Sequence, residues 1–345
     1  MVSDRLLRVN HTDALRALMA SRTIPGLALA VIANGQIVQH YVLGITQQTA
    51  TPLTESSLFQ AASLSKPLFA YGVLRLWQQG VLDLDIPLTV LAPGVYTDSN
   101  IADITARQVL SHTTGFPNWW ETPDTGSRLP LATPGTRFGY SGEGYEYLQR
   151  AIERMIGQPL HVFLHQTVLA PLRMQVSRFG WGVDAAGIAL LDADGIAMPH
   201  GDRMIASAAW SLLTTATDYA RLLIAILHPA AHIQHNLNAA SIAAMLTPLV
   251  SVGQHTSLMW SMGWGLQQTA AGLSFWHWGD PQNGYASYAV GFPDQQIGVV
   301  VLTNGEEGHS VCEAIAQLVL DMPEVAHPAF RWILPTEEWR PDGSR

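Results

Sequence analysis

Apolar positions along this chain fall into two rhythms, one strand-like at both ends and one helical between them. Residues 12–21 read as a helix, and Pro25-Gly26 then opens an apolar run, Leu27 to Ile32. Asn34-Gly35 is a hairpin signal leading into a second run, Ile37 to Leu43, so an antiparallel pair is expected. A polar loop follows, then Ala62-Ser63-Leu64-Ser65-Lys66-Pro67 and a helical pattern that turns Leu68, Val73, Leu76 and Trp77 inward, with Gly80 as its C-cap. Proline is tolerated only in the first turn of a helix, where its missing N–H has no partner to lose, so Pro67 places the helix start close to Ser63.

From about 81 to 250 the patterns are mostly helical, with candidates at Ala102 to Ser111, Gly144 to Ile156, Pro159 to Leu169 and Ala206 to Leu227. The tail changes character. Gly263 to Gln267, Ser274 to Trp278, Tyr285 to Gly291 and Ile297 to Leu302 read as strands, and an apolar-periodic helix runs from about Ser310 to Leu320. The simplest packing joins strands from both ends of the chain into one antiparallel sheet flanked by helices. It makes the middle an inserted all-helical domain, an α+β fold with residues 1–80 and 251–345 in the sheet domain and 81–250 in the helical one.

Composition narrows the function classes. At 345 residues, 48% hydrophobic and 13% charged, the chain can bury a large core and does not read as disordered. A net charge of −9 without a basic run argues against nucleic acid or an anionic membrane as partner. The N-terminus scatters charge where a signal peptide needs an unbroken apolar stretch, and Gly26 to Ala33 is too short to span a bilayer, so the sequence reads as cytoplasmic. A lone cysteine, Cys312, among Val311, Ala314 and Ile315 reads as a buried thiol.

One imbalance bears on chemistry. Of 18 basic residues, 17 are arginine, and Lys66 is the only lysine. Arginine stays protonated in proteins, whereas a lysine can be desolvated and serve as a base. Ser63 and Lys66 are three apart at a helix start, so they share a face, and a neutral amine beside a serine hydroxyl can activate it. Neutrality at pH 7 requires a pKa about three units below the free value, roughly 4 kcal/mol, and burial and the positive helix end both push that way. A second candidate is Tyr140, in the glycine-rich loop from Pro134 to Gly144. There a phenol beside a cationic lysine is expected to have a lowered pKa and to work as a phenolate base. A third is His277-Trp278-Gly279-Asp280, where glycine opens the strand edge to a substrate and the following backbone N–H completes an oxyanion hole.

Ser-x-x-Lys early, Tyr-Ser-x in the middle and His-x-Gly late, in that order, resemble the family of class C β-lactamases, D-aminopeptidases, DD-peptidases and related esterases, from about residue 12 to 320. The stretches Gln60 to Pro67, Leu82 to Pro87, Leu110 to Phe116, Pro134 to Phe138 and Val299 to Asn304 are similar as well. The resemblance implies Ser63 as nucleophile, Lys66 as its proton acceptor and Tyr140 as the partner that passes protons to the leaving group and activates the deacylating nucleophile, with the base of each step open between Lys66 and Tyr140 as a coupled pair. The backbone N–H groups of Ser63 and Asp280 would form the oxyanion hole. No cofactor is implied, and the expected partner is a small ester or amide substrate.

Two departures qualify the substrate. Gly142 stands where β-lactamases and penicillin-binding proteins of this family carry Asn, and His277 where they carry the Lys of Lys-Thr-Gly. A mostly neutral histidine holds a carboxylate less well, so esters or neutral acyl groups are favoured over penicillins. Amide cleavage, acyl transfer and a non-catalytic role are the alternatives. Trp119, Trp120, Trp276 and Trp278 are divided between an apolar acyl pocket and core packing. His112, Asp83 and Asp85 read as architectural. His228, His232 and His235 have helical spacing, but Pro229 interrupts them and no carboxylate or thiolate is near, so no metal is expected.

Overall fold

Leu27 to Ile32 is apolar at every position because strand β1 (Gly26–Ala33) is covered on both faces. Leu27, Leu29 and Val31 enter one core, and Ala28, Ala30 and Ile32 the other, as the two-residue period of a strand requires. The structure is a computed structural model that describes residues 10–46, 50–95, 101–120, 130–180, 182–183, 189–190, 206–229, 236–253, 257–280, 284–305 and 308–322.

β2 (Gln36–Gly44) returns along β1 through Asn34-Gly35, both with positive φ, as a tight hairpin needs. The other edge of β1 takes a strand from the far end of the chain. β8 (Val250–Ser251), β9 (Leu258–Trp260), β10 (Gly265–Thr269), β11 (Gly272–Gly279), β12 (Ala286–Phe292) and β13 (Ile297–Thr303) complete an antiparallel sheet. Its order among the described residues is β2-β1-β13-β12-β11-β10-β9-β8. Two small sheets stand apart: β3 (Phe59–Ala62), β4 (Arg178–Phe179) and β7 (Leu212–Thr214) in the order β3-β7-β4, and β5 (Gly182–Val183) with β6 (Ala189–Leu190).

Helices α1 (Thr12–Ser21) and α9 (Gly308–Leu320) cover the outer face of the large sheet with Leu15, Met19, Val311 and Ile315. Cys312 is fully buried there, and burial pushes its thiol up to about 12. The inner face is packed by α2 (Ser65–Gln78) and α7 (Ala216–Leu227). Between them in sequence lie α3 (Leu88–Leu91), α4 (Ala106–Leu110), α5 (Gly142–Ile156) and α6 (Leu160–Leu164), the last continued by a π turn over His165–Leu169; α8 (Ala239–Met245) follows α7. The α+β architecture, an antiparallel sheet flanked by helices, is the one expected. Asp85 pairs with Arg107 through two hydrogen bonds, of 2.7 and 2.8 Å, and Asp83 accepts from the Asp85 N–H, so both are architectural.

Two expected helices are shorter than their apolar patterns. The segment Ala206 to Leu227 divides into a strap with a turn over residues 208–210, β7 and then α7, because Thr215 caps a new helix by accepting from the Asp218 N–H. Ala102 to Ser111 yields only α4, which Thr105 and Gln108 begin with a reciprocal capping box. No helix among the described residues is long and apolar enough to cross a membrane.

Candidate active site

The turn that carries Ser63 is held under strain by its neighbours. β3 ends at Ala62 with φ of 43°, a left-handed conformation unfavourable for a residue with a Cβ, and the chain swings directly into α2. The Ser65 hydroxyl donates to the Ala62 carbonyl (2.6 Å) and accepts from the Leu212 N–H (2.9 Å), which pins the turn to β7. From the other side the Ser287 hydroxyl of β12 donates to the Ala61 carbonyl (2.9 Å), tying β3 to the large sheet. Ser63 is left half-exposed while Ser65 and Lys66 are buried.

The Lys66 amine is 3.0 Å from the Ser63 hydroxyl and donates to the Ala209 carbonyl at 2.8 Å. It also stands 4.8 Å from the centre of the Tyr140 ring and 5.7 Å from that of Tyr145. Burial in this apolar, aromatic setting brings its pKa down to about 7, opposed by the negative charge of Glu146. The amine therefore has an appreciable neutral population at neutral pH, as the spacing of Ser63 and Lys66 led one to expect.

Tyr140 differs from expectation. Its hydroxyl is buried, and burial raises its pKa; the Ser63 hydroxyl offsets this only in part. No hydrogen bond of full geometry reaches that oxygen, so Ser63 lies near it without closing a strong contact. A resting phenolate is thus disfavoured: the low dielectric penalises the anion, and the neighbouring Lys66 amine is itself driven toward neutrality. Of the two groups, the Lys66 amine is the one that burial moves toward its neutral, proton-accepting form, and the Tyr140 phenol the one it keeps protonated.

His112 fixes the Tyr140 loop. It holds φ of 54° at the end of α4, and its Nδ1 accepts the Ser141 N–H at 3.0 Å. Its proton must then sit on Nε2, a buried atom with no partner among the described residues. The ring lies 4.3 Å from that of Tyr140, tilted by 31°. Ser141 caps α5 by accepting from the Gly144 N–H, so Tyr140 stands directly before a helix N-terminus.

His277 is fully buried, with its Nδ1 2.7 Å from the Trp278 carbonyl. That acceptor requires Nδ1–H, which leaves Nε2 as a lone pair with no partner among the described residues. Desolvation and the nearby Lys66 bring its pKa down to about 3, so it is a neutral acceptor and no anchor for a carboxylate. At Gly279 a Cβ would collide with the Ala61 carbonyl and the Ser287 hydroxyl, so the close approach of β3 by itself requires glycine. Asp280 follows, half-buried, where β11 ends.

Gly142 is likewise constrained. A Cβ on it would meet the six-membered ring of Trp119, which is 46% exposed and so borders solvent as well as the site. Of the tryptophans weighed for an acyl pocket, Trp276 and Trp278 are core residues beside Trp260, while Trp119 remains at the surface.

The structure thus brings Ser63, Lys66, Tyr140 and His277 together, and it adds Ala209, Glu146 and Ser207, which the sequence reading passed over. Reading 206–227 as one helix hid Ala209, although Thr215-Ala-Thr-Asp218 before an apolar run is a legible helix start. No group of His, Cys, Asp and Glu able to hold a metal occurs among the described residues; His232 and His235 lie outside them.

A family profile described as Beta-lactamase matches residues 11–321. The chain belongs to the β-lactamase family. Penicillin-binding protein 4 of Amycolatopsis lactamdurans is 28% identical over 92% of this chain and 91% of its own. Esterase EstB of Burkholderia gladioli is 28% identical over 46% and 47% respectively. In fold, D-alanine carboxypeptidase AmpC from Burkholderia cenocepacia superposes with a TM-score of 0.72 at 20% identity, over 90% of this chain and 99% of its own. The β-lactamase family is one of serine hydrolases, and the two relatives named here are called a penicillin-binding protein and an esterase.

Proposed function

We propose that this protein is a carboxylesterase that forms an acyl-enzyme on Ser63. The observation that carries the reading is a half-exposed hydroxyl 3.0 Å from a buried amine whose pKa is about 7. In the proposed cycle Ser63 Oγ attacks the ester carbonyl carbon and its proton passes to the neutral Lys66 amine. The tetrahedral adduct collapses, the C–O bond to the leaving alcohol breaks, and the proton on Lys66 moves to that oxygen through the Tyr140 hydroxyl. Water then attacks the acyl carbon and gives its proton to Lys66 by the same route; the bond from the acyl carbon to Ser63 Oγ breaks, the proton on Lys66 passes to Oγ, and the acid leaves with Ser63 and neutral Lys66 restored. The oxyanion is assigned to the N–H groups of Ser63 and Asp280.

The preference for esters of neutral acids rests on Gly142 and His277. The first offers no side-chain amide and is roofed by the Trp119 ring, and the second is neutral and buried. Neither supports recognition of an acylamino group with an adjacent carboxylate.

The test is covalent labelling of the folded protein with a fluorophosphonate, located by peptide mapping, alongside turnover of p-nitrophenyl acetate and butyrate. Labelling at Ser63 and its loss with activity in Ser63→Ala are expected. Absence of labelling would make the protein a non-catalytic member of the family, and rapid nitrocefin hydrolysis would replace the esterase assignment with a β-lactamase one.

A further inference from the structure

The partner that holds Lys66 in place is a backbone carbonyl on a segment with no regular structure of its own. Ala209 belongs to the strap 206–211, which reaches the site 143 residues after Lys66 and would be free to shift without side-chain anchors. One anchor is the strap's own Ser211 hydroxyl, which accepts from the Ser207 N–H (2.7 Å), and two others, Glu146 and Gln149, rise from α5, the helix that begins just after Tyr140. Gln149 donates to the Ala206 carbonyl (2.7 Å) and accepts from the Ala208 N–H (2.8 Å). The Ser207 hydroxyl accepts from the Ala209 N–H (3.1 Å) and donates to a Glu146 carboxylate oxygen. A continuous path thus runs from Glu146 through Ser207 to Ala209 and its hydrogen bond with the Lys66 amine.

We propose that Glu146 is a positioning residue for the Lys66 base: through Ser207 it latches the strap that holds the amine, and its carboxylate supplies the counter-charge when that amine takes up the serine proton. The inference rests on the reading of Ser63 and Lys66 given above. A carboxylate with one oxygen engaged by a hydroxyl, half-buried and acting on a desolvated amine, is an electrostatic device that a glutamine at the same place would keep in shape and lose in charge. The groups facing Glu146 are Ser207 on the strap, Arg150 and Glu143 on its own helix, and Lys66 across the site. Those facing Lys66 are Glu146, the Tyr140 and Tyr145 rings, His112 and His277, the last two neutral. Among the described residues Glu146 is therefore the carboxylate whose charge acts on the protonated amine, with burial raising its own pKa and the Ser207 hydrogen bond favouring its ionised form.

Because Lys66 is the only lysine, its titration can be followed without reference to activity. Protein labelled with [ε-13C]lysine gives one side-chain resonance, whose midpoint is read against pH in wild type, Glu146→Gln and Ser207→Ala. Removing the counter-charge should lower the midpoint by about half a unit or more in Glu146→Gln. The acid limb of fluorophosphonate labelling at Ser63 should move down with it, while the maximal labelling rate falls in Ser207→Ala, where the latch is cut. An unchanged midpoint in Glu146→Gln would overturn the electrostatic role, and a wild-type labelling rate in Ser207→Ala would overturn the latch. If Glu146→Gln fails to fold, Glu146→Asp, which keeps the charge and shortens its reach, replaces it: a midpoint and rate equal to wild type would then count against the geometry. Failure of the esterase reading looks different, since it leaves Ser63 unlabelled in wild type whatever Lys66 does.

Discussion

Trp119 lays its ring over Gly142, in the space that any side chain at that position would enter. The glycine and the tryptophan are one adaptation: the position two residues after Tyr140 gains an apolar surface and loses a polar one. Trp119→Ala should therefore lower kcat/KM for p-nitrophenyl butyrate more than for the acetate, by up to about tenfold, because the longer chain loses apolar contact. An acyl-chain-length series measures this, and a uniform loss across the series would remove Trp119 from the pocket. Gly142→Asn should displace the ring into solvent at a cost of about 1 kcal/mol or less, read as a small change in Tm, since the obstructing atoms are the far end of a partly exposed side chain.

The acid limb of the pH–rate profile should report Lys66. Its neutral form is the competent one, and its pKa is about 7, so kcat/KM should fall about tenfold per pH unit as pH drops below that value. Lys66→Arg should lose about a thousandfold or more, because guanidinium gives up no proton. Stopped-flow or initial-rate measurements with p-nitrophenyl acetate between pH 5 and 9 decide both points.

Lys66 should also cost the fold stability. Its folded pKa is depressed below 10.5, so between about 7 and 10.5 the unfolded chain binds more protons and stability rises with pH. Below pH 7 the whole penalty is present, on the order of 4 kcal/mol. Lys66→Met should accordingly melt above wild type at pH 6–7, with the difference shrinking toward pH 10. Parallel thermal melts across that range check the sign, and a gap that widens with pH would contradict it.

His112→Ala should be costly in both stability and rate. It leaves the buried Ser141 N–H without its acceptor and opens a void beneath the Tyr140 ring, together on the order of 2–4 kcal/mol. Because the lost contacts position Tyr140, kcat should fall more than KM rises. Denaturant unfolding and steady-state kinetics on the same preparation separate the two effects.

Several of these relationships were legible from residue order alone, for a physical reason. Ser63 and Lys66 are one helical turn apart, so local geometry brings them together whatever the rest of the chain does. The strands β1 and β10 to β13 carry short apolar runs between turn residues, and the hairpin at Asn34-Gly35 follows from dihedral preference. The neutrality of Lys66 was foreseeable because burial of the only lysine in the chain had an evident use. The expectation for Tyr140 was wrong because a phenol pKa depends on solvent access, which a glycine-rich loop does not reveal. The helix expected over 206–227 failed because apolar periodicity outvoted a Thr215 cap and concealed the strap.

What the amino-acid order settled by itself was the alphabet of the fold and the Ser63–Lys66 pair, since both depend on contacts within a few residues. Tertiary structure alone decided which carbonyl receives the lysine proton donor, that β3 packs too close to Gly279 for a Cβ, and that Trp119 roofs Gly142. Those are meetings of segments tens to hundreds of residues apart. They follow from how the sheet, strap and helices close on one another, and no local pattern encodes them.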